Sequence, residues 1–147
     1  MENKIHKDCV FCHILANPDS VAVIYEDERV VVFPVLEPVN PGHVVVISRQ
    51  HIPLITDLDE RTAEHAMKIA RKMAEALRKS NFKCEAINLF VADGTAGGQE
   101  VPHFHLHVYP RFKNDDFGFK YDKAKHFVKI NRTQMDEVAA EIKHHLG

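Results

Sequence analysis

The chain has 147 residues, 45% of them apolar and 27% charged, which suits one soluble globular domain spanning 1–147 and excludes a disordered or fibrous protein. Nineteen Lys and Arg against 21 Asp and Glu leave a formal charge of −2, with no block of one sign, so the basic footprint of a nucleic-acid polymer binder is missing. The stretch MENKIHKDCV has no apolar signal-peptide core, and no apolar run approaches a membrane span, so a cytoplasmic protein without a membrane partner is expected. Three cysteines, two of them as Cys9-x-x-Cys12, point to a metal or redox role rather than a disulfide framework.

In chain order, Val21–Glu26 and Arg29–Phe33 are β-branched runs parted by Asp27-Glu28, and read as a hairpin. The turn cluster Pro38-Val39-Asn40-Pro41-Gly42 leads into a third strand, His43–Ser48. Between Asp59 and Ser80, Ala63, Ala66, Met67, Ala70, Met73, Ala74 and Leu77 recur at spacings of three and four, which predicts one long amphipathic helix. Ala86–Ala92 follows as a fourth strand, Asp93–Gln99 as a glycine-rich loop, and Val101–Tyr109 as a fifth strand ended by Pro110. Thr133–Leu146, with Met135, Val138, Ala139 and Ile142 at helical spacing, closes the chain as a second helix. The sum is an α+β domain around an antiparallel sheet of about five strands.

Histidine is the unusual count, at 11, and His103-Phe104-His105-Leu106-His107-Val108 alternates imidazole with apolar side chains. A strand puts alternate residues on one face, so three imidazoles lie about 6.5–7 Å apart, within reach of one small anion. In a chain of this composition that spacing arises by accident about 0.06 times. The readings are chemistry on a phosphate or acyl centre, a metal cluster on three neutral imidazoles, or a solvated strand. Gly94, Gly97 and Gly98, just upstream, favour the first, because glycine lets backbone N–H groups approach an anion.

His103-Phe104-His105-Leu106-His107-Val108-Tyr109 resembles the signature of the histidine triad (HIT) superfamily, three histidines alternating with apolar residues. The likeness extends to Gly97-Gly98-Gln99, Pro110-Arg111, Pro41-Gly42-His43 through Ile47 with His51, Cys9-x-x-Cys12-x-Ile14, and Phe117-Gly118-Phe119, in family order along nearly the whole chain. It looks most like the short bacterial-type members. The resemblance implies a HIT-like fold with a five-stranded antiparallel sheet, a homodimer, and hydrolysis or transfer of a nucleoside monophosphate attached to a leaving group.

By the same resemblance His105 is the nucleophile that forms a phosphoramidate with the α-phosphorus, His107 donates to a phosphate oxygen, and Gln99 with the loop N–H groups orients the other oxygens. Gly98, Glu100 and Val101 join the phosphate contacts, with Glu100 at a position where relatives often carry a Ser that helps the leaving group. Phe11, Ile14 and Leu36 hold motif positions that line the base pocket in relatives, and the bland reading of each is core. The partner expected is a purine nucleotide or nucleotide conjugate. Cys9, Cys12, His51 and His103 look like a structural Cys₂His₂ zinc site, closed and therefore not catalytic, with His13 a competing ligand; the bland reading is two buried cysteines and a surface histidine.

Two positions depart from the family. Val35 stands where an Asp holds ribose hydroxyls, and Ala92 where an Asn is common, and neither side chain can make those hydrogen bonds. A catalytically weak, zinc-stabilised nucleotide- or phosphate-binding regulator is therefore the competing function.

Overall fold

The computed structural model describes residues 6–118 and 120–147. Phe119 of the Phe117-Gly118-Phe119 motif, and the first five residues of the leader reading, lie outside them. Two compact units make up the chain, one ending at Asp116 and one running from Phe117 onward.

The first unit contains helix α1 (Val10–Ala16), strands β1 (Tyr25–Glu26), β2 (Val30–Pro34) and β3 (Val44–Ser48), helix α2 (Glu60–Lys79), and strands β4 (Ala86–Phe90) and β5 (His105–Arg111). The strands form one sheet in the order β1-β2-β3-β5-β4, and every neighbouring pair is antiparallel. Strand periodicity sorts the side chains onto two faces. Val30, Val32, Val44, Val46, Leu106 and Val108 pack with Ala66, Ile69, Ala70 and Leu77 of α2. The opposite face, Val31, Phe33, Val45 and Ile47, packs against Phe11, Ile14 and Leu15 of α1. His105 and His107 pair with Ile47 and Val45, so both imidazoles belong to this second face.

Asp59 caps α2 by accepting the Thr62 N–H at 3.0 Å, and that helix matches its predicted bounds. The turn before β3 needs Gly42: its φ is +96°, and a Cβ there would stand 2.9 Å from Leu77 Cδ2.

Three expectations need correction. The predicted strand Val21–Glu26 shrinks to Tyr25–Glu26: the Ile24 N–H bonds to the Val32 carbonyl at 2.8 Å, one residue out of step with the Tyr25–Val32 pairing, so the regular ladder ends there. Helix α1, which no reading of the sequence anticipated, occupies the Cys9–Cys12 segment. The fifth strand starts at His105 rather than Val101 and runs through Pro110 to Arg111. Pro110 is tolerated because its backbone polar groups face the side beyond the end of β3, where its carbonyl accepts from Asn40 Nδ2 at 2.9 Å. Upstream, the Phe104 N–H bonds to the Ile52 carbonyl at 2.7 Å, which takes His103 out of the ladder.

In the second unit, helix α3 (Arg132–His145) begins with a reciprocal capping box between Asn131 and Gln134. Its apolar stripe of Met135, Val138 and Ile142 is exposed. No helix among the described residues is long and apolar enough to cross a membrane.

Candidate active site and metal centre

Cys9 and Cys12 at the start of α1 meet His51, just after β3, and His103, just before β5, with all four donor atoms within 4.8 Å of one another. Cys9 Sγ lies 3.5 Å and Cys12 Sγ 3.8 Å from His103 Nδ1, and Cys12 Sγ lies 3.3 Å from His51 Nδ1. A tetrahedral ion with ordinary zinc–ligand bonds separates its ligands by about 3.3–3.8 Å, so the donor set and its spacing fit that metal. The outer contacts fit as well. The Ser48 carbonyl can only accept, so the 2.6 Å contact to His103 Nε2 places the ring proton there and leaves Nδ1 bare toward the cysteines. Burial holds His103 at a pKa of about 4, hence neutral, and raises the Cys12 thiol. The His6 ring stacks on His51 at 3.7 Å. His13, the competing ligand, makes its ring contact to the Lys7 carbonyl instead.

His105 has the opposite arrangement. Its Nδ1–H donates to the His103 carbonyl at 2.7 Å, and its Nε2 makes no hydrogen bond to the described residues. Burial lowers its pKa, so a neutral imidazole with a bare nitrogen is the resting form. Phe11 packs edge-on against this ring, at 5.1 Å between centroids.

His107 is set by a relay. The Val39 N–H donates to His43 Nδ1 at 3.1 Å, so the neutral His43 carries its proton on Nε2 and donates it to His107 Nδ1 at 2.9 Å. His107 must then keep its own proton on Nε2, as a donor. Desolvation keeps both rings neutral, at pKa values of about 4. The sequence places His43 at the start of the third strand and in the Pro41-Gly42-His43 motif, and neither assigns it a role at the site. The signal was its parity: it lies on the same face as Val45, the register partner of His107.

His43 and His107 open into a cavity of about 940 Å³, whose lining includes Phe11, Ile14, Val35, Leu36 and Val101. All four apolar positions named as nucleotide contacts are therefore brought together with His107, although Leu36 is 97% exposed. Gln99 and Glu100 line a different depression, of about 500 Å³, and Gly98 lines neither. The Gln99 side chain ties the glycine loop down: it donates to the Pro53 carbonyl at 2.8 Å and accepts the Gly94 N–H at 2.9 Å. Within the loop, the Gly97, Gly98 and Gln99 N–H groups bond to loop carbonyls, whereas those of Glu100 and Val101 make no hydrogen bond to described residues. Ala92 is buried, and Asp93 accepts the Ile55 N–H.

Residues 17–114 match the HIT domain family. An uncharacterised HIT-like protein of Borreliella burgdorferi is 40% identical over 77% of this chain and 82% of its own. The asymmetrical bis(5'-nucleosyl)-tetraphosphatase of Schizosaccharomyces pombe is 35% identical over 67% of this chain and 53% of its own. Among solved structures, a HIT family member from Bacillus subtilis superposes with a TM-score of 0.82, at 28% identity, covering 96% of this chain and 99% of that one. A zinc-bound histidine triad protein from Mycobacterium smegmatis superposes with a TM-score of 0.71, at 34% identity, covering 78% and 83%. With His105 and His107 on β5, His103 just before it, and the domain match spanning the sheet, the chain belongs to the HIT family.

Proposed function

We propose that the protein is a nucleotide hydrolase or transferase that cleaves a nucleoside monophosphate from a leaving group through a covalent intermediate on His105. The observation that carries this reading is the His105 Nδ1–H bonded to the His103 carbonyl, which leaves a neutral Nε2 as nucleophile. That nitrogen attacks the α-phosphorus, and the bond to the leaving group breaks with its electron pair as the leaving group takes up a proton from solvent water. Water then cleaves the P–N bond, releasing the monophosphate and the free imidazole. His107 Nε2–H donates to a phosphate oxygen, joined by the free Glu100 and Val101 N–H groups, an electrostatic role for a centre that needs chiefly positioning. The nucleoside occupies the 940 Å³ cavity, with its base against Phe11, Ile14 and Leu36. Gln99 acts through the loop that it anchors, as a positioning residue.

Cys9, Cys12, His51 and His103 hold a structural zinc, which supplies a cross-link between α1 and the approach to β5 and no open coordination position. The zinc-bound relative supports this assignment, and the tetraphosphatase relative supports nucleotide chemistry. We further assign a homodimer in the cytoplasm, where thiol ligands stay reduced. One observation favours the binding-regulator reading: Val35 lines the cavity and offers no acceptor to a sugar hydroxyl.

The test is release of nucleoside monophosphate from nucleotide amidates and dinucleoside polyphosphates by wild type and His105→Asn. Turnover by the wild type, reduced by about 10³-fold or more in the variant, is the expected result. Binding without turnover by the wild type selects the regulator.

A further inference from the structure

Three successive same-face positions of β5 carry rings in a row, His105, His107 and Tyr109, and the last of them touches both members of the relay. The Tyr109 ring lies nearly parallel to that of His107, at 5.2 Å and 11°, and meets the His43 ring edge-on at 4.4 Å. The sheet register explains the corner it fills: Val44 pairs with Val108, so the next step sets His43 opposite Tyr109, with His107 two residues along. From the other neighbouring strand Phe90, the register partner of His107, flanks both rings at 6.3 Å. Tyr109 is 7% exposed, so its ring has little room to swing away.

The hydrogen bond between His43 and His107 fixes one nitrogen of each ring and leaves each plane able to turn about that point. The His107 nitrogen that serves a phosphate is Nε2, across the ring from the anchored Nδ1, so any such turn moves the donor. A second contact, on the ring face, removes that freedom, and offset-stacked and edge-to-face ring pairs at these separations attract. A group misplaced by about 1 Å can cost about 10²-fold in rate, which makes the plane of His107 consequential. Burial pushes the Tyr109 hydroxyl above its ordinary pKa, so the ring is neutral and brings no charge to the relay. Its effect is therefore one of position. The cavity lining includes His43 and His107 but not Tyr109, which acts through them.

We propose that Tyr109 is a positioning residue for the transfer reaction: its ring holds the planes of His43 and His107 so that the Nε2–H of His107 stays aimed at the phosphate. This rests on the nucleotidyl-transfer reading above and extends the working row of β5 by one residue beyond the three histidines. The ring carries the role, and the hydroxyl does not.

The test measures kcat and KM on an adenosine monophosphate amidate, and the long-range proton–nitrogen spectrum of the histidine rings, for wild type, Tyr109→Phe, Tyr109→Leu and Tyr109→Met. Two aliphatic variants are used so that misfolding of one leaves the other. Tyr109→Phe keeps the ring and is expected to stay within about threefold of wild type, whereas the aliphatic variants lose about tenfold or more in kcat with KM within about threefold. In those variants the His43 and His107 nitrogen shifts move toward the average of mixed tautomers, while those of His105 hold. The double variant His43→Ala, Tyr109→Leu should lose no more than His43→Ala alone, because both act through the one ring of His107; a general packing defect would multiply the losses. Wild-type kcat or unchanged His107 shifts in the aliphatic variants, losses that multiply, or a Tyr109→Phe variant as impaired as Tyr109→Leu each overturn the proposal. If the wild type binds nucleotide without turnover, the spectrum alone decides: His107 shifts that move in Tyr109→Leu uphold the positioning role while the enzymatic reading fails, and unchanged shifts overturn both.

Discussion

His103 and His105 are separated by a single residue, yet their rings carry the proton on opposite nitrogens. His103 gives its Nε2–H to the Ser48 carbonyl and turns a bare Nδ1 toward two cysteines. His105 gives its Nδ1–H to the His103 carbonyl and keeps a bare Nε2. Residue type is the same and burial is similar, so the acceptor each ring meets decides which nitrogen keeps its lone pair and where that lone pair points. The two are also joined in series, since the residue whose side chain belongs to the proposed metal set supplies the carbonyl that orients the ring proposed as nucleophile.

Perturbing each side separately breaks the comparison in different ways. On the His103 side, metal chelation or Cys9→Ser is expected to lower Tm by about 10 °C, read by thermal melting, because it leaves buried thiol and imidazole groups without their shared partner. On the side of the relay, His43→Ala removes the donor that fixes His107 and should lower kcat/KM by about 10²-fold. His43→Asn, whose amide can supply an N–H, should recover part of that loss, which a purely structural role would not predict.

Both the chemistry and the fold need neutral rings. The pKa of His105 is lowered from 6.5, and those of His43 and His107 to about 4, so kcat/KM should be flat above 6.5 and fall at lower pH, with its midpoint between 4 and 6.5. Stability shifts in the same direction: unfolded histidines take up protons below 6.5 that the buried rings refuse down to about 4, so it is lost progressively over that window. The smallest expected effect is that of Gln99→Ala, about threefold in KM with a smaller change in kcat, from a loosened glycine loop.

Much of this was legible in the residues. The long helix followed from its periodicity, and the alternation of His105 with Leu106 and His107 set both imidazoles on the face opposite α2. The cysteine–histidine set came from the likeness to relatives rather than from its own spacing, since its members are scattered from residue 9 to residue 103. What escaped the reading depended on backbone partners. That His103 leaves the strand follows from the Phe104–Ile52 bond, a contact between distant segments that periodicity does not encode. The work done by Gln99 depends on where the Pro53 carbonyl lies, and the role of His43 on the Val39 N–H. The motif positions brought Phe11, Ile14, Leu36 and Val101 together with His107 but not Gln99 or Glu100; the folded backbone specifies what each is free to do.

The most direct test of the opposed tautomers is a long-range proton–nitrogen NMR correlation spectrum of the histidine rings near neutral pH. The account predicts a neutral His105 with its proton on Nδ1 and an unprotonated Nε2, beside a His103 protonated on Nε2. A charged His105, or one with its proton on Nε2, would contradict it, because the lone pair assigned to the nucleophile would then be absent.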